Sequence, residues 1–133
     1  GSVPDRSYYD SIIVIAQFHV LFNHGLYEQA YQLLSPFRRN AQSREEFISD
    51  IETFGIMERR IVSIRPFYES ALQLQNFATP DPISRRMFYS RIYAEGKNGW
   101  AGSVPNGVHT YFITTTLEEG KWKIYSINTA SLP

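Results

Sequence analysis

Apolar residues in this chain recur with a helical period up to about residue 55 and with a period of two from about Arg60 onward. A repeat of 3.6 residues lines one face of a helix and a repeat of two lines one face of a strand, so the two halves cannot exchange conformations. Helices first and strands afterwards predict an α+β domain with an antiparallel sheet. At 133 residues, 43% of them hydrophobic and 15% aromatic, the chain can bury one core without staples. Residues 1–7, opening on Gly1-Ser2, read as a tag remnant and linker, and residues 8–133 as a single domain. Thirteen basic residues balance thirteen acidic ones, so there is no long-range field to draw in a phosphate backbone, and no nucleic-acid partner is expected. The absence of cysteine excludes disulfides, thiol catalysis and thiolate metal sites.

In the helical half, Tyr8, Ile12, Ile15, His19, Phe22 and Leu26 fall on one face, with Ile13, Val14, Val20 and Leu21 flanking a narrow polar stripe. This predicts a first helix that is mostly covered and stopped by Gly25. Its uncharged stretch, Ser11 to Tyr27, is interrupted by Gln17, His19, Asn23 and His24 and is short for a span, so no membrane insertion is expected in this segment. A short second helix follows over Tyr27 to Leu34, closed by Ser35-Pro36. A third begins at the capping box Ser43-Arg-Glu-Glu46, continues through Phe47, Ile51 and Phe54, and stops at Gly55.

In the strand half, Val62, Ile64, Tyr68, Leu72 and Leu74 alternate with polar residues, with Pro66 implying an edge or a bend. Thr79-Pro-Asp-Pro82 reads as a turn, Arg86 to Glu95 as a strand, and Gly96 to Asn106 as a long connection carrying Trp100. Val108 to Leu117 and Trp122 to Thr129 form a hairpin around Glu118-Glu-Gly-Lys121. If Glu118 pairs with Lys121, Ile113 falls beside Ser126 and Tyr111 beside Asn128, unless a bulge at Gly120 shifts the register. One face then grades from Leu117, Trp122 and Ile124 to the polar Tyr111, Asn128 and His109, as a sheet end lining a cavity would. The other face mixes Thr, Phe112, Tyr125 and Ile127, which suits a homodimer interface as well as a half-wet sheet.

Several residues carry candidate chemistry. His19, in the middle of the most apolar face, is either a pocket acid/base or a core histidine satisfied by backbone or water. His109, Tyr111 and Asn128 either join it in hydrogen-bonding a small, partly apolar ligand or are polar strand ends meeting water. Arg91, between Tyr89 and Tyr93, is either a carboxylate clamp or a guanidinium stacked on surface tyrosines. Trp100 is either an exposed anchor for a partner, or a lid, or folded back on the sheet. His19 and His24 are too far apart around a helix to share a metal, and no HExxH, calcium loop, Walker loop or GxSxG elbow occurs, so no metal or cofactor is expected. The pairs Arg38-Arg39, Arg59-Arg60 and Arg85-Arg86 are interleaved with acids and read as solvated ion pairs.

The order of elements, with Asn23-His-Gly-Leu-Tyr27-Glu-Gln-Ala30-Tyr-Gln-Leu-Leu-Ser-Pro36 after the long helix, the Ser-Arg-Glu-Glu-Phe47 helix and the closing Gly120-Lys-Trp122-Lys-Ile124-Tyr-Ser-Ile127, resembles the nuclear transport factor 2-like superfamily. That resemblance implies helices packed into a strongly curved antiparallel sheet, a cone with a pocket at its wide end. The superfamily holds enzymes and many non-catalytic accessory domains, so fold does not select function. The isomerase set of an aspartate base with a tyrosine and a protonated acid has no match here, and the dehydratase pairing of histidine with acid is only half present. The resulting expectation is a non-enzymatic small-ligand or partner-binding module of a larger bacterial protein, in an extracytoplasmic location. It would dimerise through Phe112, Tyr125, Ile127 and Trp100. The alternative is a small lyase, dehydratase or isomerase in which His19 moves a proton while Tyr111 or Asn128 holds a carbonyl oxygen.

Overall fold

The structure, a computed structural model, describes residues 6–67 and 84–130. Four helices, α1 (Arg6–Asn23), α2 (Tyr27–Tyr31), α3 (Pro36–Ala41) and α4 (Arg44–Phe54), precede six strands. These are β1 (Ile56–Phe67), β2 (Arg85–Gly96), β3 (Trp100–Ala101), β4 (Val104–Pro105), β5 (Gly107–Glu118) and β6 (Lys121–Thr129). The main sheet is antiparallel in the order β1-β2-β5-β6, and β3 and β4 form a small separate hairpin between β2 and β5. The α+β class read from the periodicity is therefore the observed one.

α1 lies against this sheet, burying Val14, Ile15, Phe18, His19 and Phe22. Its other side is not covered among the described residues: Ile13 and Val20 keep 54% and 56% of their surface exposed, so the expectation of a mostly buried helix does not hold. A sheet covers one side of a helix, and α2 and α4 reach α1 through Tyr27 against Phe22 and Phe47 against Phe18, leaving Ile13 and Val20 exposed.

Ser35-Pro36 was expected only to end a helix. It also begins one: the Ser35 hydroxyl accepts from the Arg38 N–H at 3.2 Å, and Pro36 occupies the first turn of α3, where a missing N–H costs nothing. Just before it, Ser35 N–H donates to Ile124 O and Ile124 N–H to Leu33 O, both at 2.8 Å, so this linker covers the exposed edge of β6. The capping box of α4 forms as read, with Glu46 N–H on the Ser43 hydroxyl at 3.1 Å and Ser43 N–H on the Glu46 carboxylate at 3.4 Å. Gly55, at φ 62°, then turns the chain directly into β1, four residues earlier than the period had suggested.

Three register shifts, at Met57 and Val62 in β1 and at Tyr125 in β6, change which side chains face the core. β1 slips between Ile61 and Ser63, so Val62 is 53% exposed while Ile61 and Ile64 pack inward. β5 and β6 pair as expected at Glu118 with Lys121 and Leu117 with Trp122, but slip at Thr114/Thr115, leaving Tyr125 as the extra residue. Beyond it Ile113 faces Ile127 and Tyr111 faces Thr129. The slip is not at Gly120, because Glu119 and Gly120 both adopt positive φ and close the hairpin as a tight two-residue turn. Pro66 sits on β1, an edge strand, as its missing donor requires. Tyr68, Leu72, Leu74 and the Thr79–Pro82 turn lie outside the described residues.

Candidate functional site

Between α1, α3, α4 and the sheet lies a cavity of about 170 Å³. Phe18 and Phe22 from α1, Phe47 and Ile51 from α4, and Ile124 and Ile127 from β6 supply apolar wall, with Arg38, Gln42, Asp50, Arg59 and Ser126 as polar groups. Arg59 is placed by both its backbone and its side chain. The Asn23 side chain at the end of α1 accepts from the Arg59 N–H at 2.9 Å and donates to the Arg59 carbonyl at 2.6 Å, saturating the peptide groups that an edge strand leaves unpaired. The guanidinium then crosses the sheet to lie 5.0 Å from the centre of the Tyr111 ring. Its Nε and Nη2 are shut off from solvent and have no hydrogen-bond partner among the described residues. Burial lowers its pKa from the usual value, but an arginine remains a cation throughout.

His19 is buried beside this group. Its Nδ1–H donates to Ile15 O at 2.8 Å, which fixes the tautomer and leaves Nε2 without a partner among the described residues. Burial first, and the Arg59 charge second, lower its pKa to about 4 against the pull of the Ile15 carbonyl, so it is neutral near pH 7.

The remaining sequence candidates disperse. Tyr111 is buried under Arg59, whereas Asn128 is exposed: the bulge at Tyr125 turns it to the outer face, opposite Phe112, which corrects its assignment to the ligand-lining set. The same slip carries Ile127 into the cavity, so it is not part of an outer interface. His109 donates from Nε2 to Pro105 O at 2.6 Å, tying β5 to β4 away from the cavity. Arg91 lines a separate pocket of about 280 Å³ with Arg65, Tyr89 and Thr110. Tyr125 stacks on Phe37 at 5.1 Å and 20°, and Trp100 is 54% exposed on β3.

Sequence reasoning missed Arg59 because it grouped Arg59-Arg60 as one solvated pair. Only Arg60 fits that description, reaching Glu58 at 3.7 Å and lying over Tyr93. Strand alternation separates the two, and it would have flagged one of them had β1 been started at Ile56.

Among the described residues no helix is long and apolar enough to cross a membrane, and no three His, Asp or Glu side chains gather as a metal site would require. In comparisons with known proteins, no family model and no curated protein matches the chain.

Proposed function

We propose that this chain is a non-enzymatic binding module of nuclear transport factor 2-like architecture, in which the helices close one end of a cone formed by a strongly curved sheet and the cavity takes a small ligand. The observation that carries this reading is the cavity itself, walled by phenylalanine and isoleucine side chains with Arg59 among its polar lining residues. Ligand sites have this composition, an apolar wall with few fixed polar groups. His19 supports binding over proton transfer, because a group with a pKa of about 4 is a weak base near neutrality.

The test is native mass spectrometry of freshly purified protein, with NMR of the Ile51, Ile124 and Ile127 methyls during titration with benzyl alcohol, a neutral probe. An adduct released under harsher activation, or methyl shifts that saturate at millimolar probe, is the expected result. A bare chain whose cavity methyls do not move overturns the reading.

The outer sheet face is proposed as a homodimer contact, supported by the ring cluster of Phe67, Tyr89 and Phe112, whose centroids lie 5.2–5.5 Å apart. Light scattering that stays at the 15.4 kDa monomer mass at high concentration overturns it.

A further inference from the structure

We infer that Arg65 and Arg91 form an anion site on the outer sheet face and that its ligand is the phosphate group of a small phosphate monoester. Both side chains are exposed, and both line the pocket of about 280 Å³ together with Ser63, Tyr89 and Thr110. The strand pairing brings them together. Arg65 faces Tyr89 and Ser63 faces Arg91 across β1 and β2, so the two arginines are diagonal neighbours on one face, opposite the face on which Phe88 and Ile92 are buried. Diagonal neighbours lie roughly 7–8 Å apart at their Cα atoms, within the reach of two arginine side chains. The bulge at Val62 makes them neighbours: continued without a slip from Ile61 and Ile92, the pairing would set Arg65 against Phe88, on the core side.

Neither charge is neutralised by an acid among the described residues. The acids of β1 and β2 are Glu58 and Glu95, which face each other at the far end of the two strands. Glu58 takes Arg60 at 3.7 Å, and Glu95 lies four residues, about 13 Å, along β2 from Arg91. Two like charges side by side on a sheet repel, and a dianion between them removes that repulsion. The Arg65 guanidinium carbon lies 5.6 Å from the centre of the Tyr89 ring, which holds the group while leaving its N–H edge free to donate. Each guanidinium edge offers two parallel donors, and two such edges match the oxygens of one tetrahedral dianion. Ser63 and Thr110 supply hydroxyls in the same pocket. Because solvent reaches both arginines, the anion binds without being stripped of all its water. The pocket is nearly twice the volume of about 150 Å³ that accommodates benzene, which leaves room for a ring or sugar next to the phosphate. It shares no lining residue with the cavity at α4, and of the ring cluster offered as a dimer contact only Tyr89 lines it.

The experiment titrates phenyl phosphate, phenyl sulfate and inorganic phosphate into the folded 133-residue chain at pH 8 and low salt, followed by the amide signals of Ser63, Arg91 and Thr110 and by calorimetry. A phosphate monoester, with a second pKa of about 6, is a dianion at that pH. Phenyl phosphate should give shifts that saturate at millimolar ligand and weaken as salt rises. It should bind at least about threefold more tightly than the singly charged phenyl sulfate, as a second exposed ion pair requires. Inorganic phosphate should bind more weakly than the ester, because it fills only part of the pocket. Arg65→Gln and Arg91→Gln should each weaken phenyl phosphate at least about threefold. Arg44→Gln, which removes the same charge from an exposed site on α4, should leave it nearly unchanged. Absence of saturating shifts in the wild type overturns the site, and an equal loss in Arg44→Gln overturns it by reducing the effect to net charge. Phenyl sulfate binding as tightly as phenyl phosphate overturns the dianion, and inorganic phosphate doing so overturns the ester. The three wild-type titrations need no variant, so a substitution that fails to fold leaves the decision intact.

Discussion

Replacing Arg59 with methionine should make the unliganded protein more stable. The substitution keeps an unbranched stem against the cavity wall and removes two N–H groups that are buried without partners. Each such group costs about 1–3 kcal/mol when left unsatisfied. The loss of the contact with the Tyr111 ring, 5.0 Å from the guanidinium carbon, returns roughly 1–2 kcal/mol. Arg59 as a residue is only half-buried, so the lower part of the first range applies. At that lower end the two groups cost about 2–3 kcal/mol together, so the net gain is about 0–2 kcal/mol, which for a chain of 133 residues is a rise in Tm of up to roughly 8 °C. Calorimetry and urea unfolding at pH 7 measure it. A variant less stable than wild type by more than about 1 kcal/mol would refute the reasoning, since it would mean that the guanidinium is satisfied in the native state.

His19 provides a pH test. Its folded pKa of about 4 lies below the unfolded value of 6.5, so the unfolded chain binds the proton first as pH falls. Stability from this group is complete above about pH 6.5, declines down to about pH 4 and is flat below, with a loss of about 2 kcal/mol between pH 7 and pH 5; urea titrations should show that slope in wild type and its absence in His19→Asn. Tyr31→Phe should cost about 1–2 kcal/mol in the same assay, because the hydroxyl serves the Arg39 and Gln42 carbonyls at 3.0 and 2.6 Å at the end of α3. Gly96→Ala should fail to reach the wild-type Tm by a wide margin, since its Cβ would sit 1.9 Å from the Trp100 carbonyl oxygen, a backbone atom that cannot rotate away; a variant within about 1 kcal/mol of wild type would refute that close approach.

The parts of this fold legible in the sequence are those fixed by contacts a few residues apart. The capping box at Ser43 and Glu46, the left-handed stop at Gly55 and the Glu118–Lys121 turn each depend on their own segment, and each forms as read. His19 was legible as a residue on an apolar helix face, and it is buried there, with one nitrogen bonded to backbone and the other without a partner. Ser35-Pro36 was half legible: the dipeptide signals a boundary without saying whether a helix ends, begins or does both. The exposed stripe at Ile13 and Val20 was not legible, because composition does not say how much of a helix its neighbours will cover.

The cavity was hidden for a more specific reason, which lies in the bulges at Val62 and Tyr125. With Ile64 facing the core, an unbroken β1 would place Val62 and Arg60 on the same inner face and send Arg59 outward. The slip at Val62 reverses the parity of the strand's first half, so Arg59 and Ile61 turn inward and Arg60 is left to pair with Glu58 at the surface. The slip at Tyr125 does the same to β6, exchanging Asn128 for Ile127 in the wall. A regular sheet built from this sequence would present Asn128 to the interior and leave Arg59 in solvent. The extra residues at Val62 in β1 and Tyr125 in β6 instead produce a drier wall with Arg59 on its side of the sheet. Each bulge is a cross-strand property, set by how a residue on one strand meets two on its neighbour. The choice between two adjacent arginines, on which the chemistry of this cavity depends, was therefore made in the pairing of β1 with β2 and not in the local pattern of either strand.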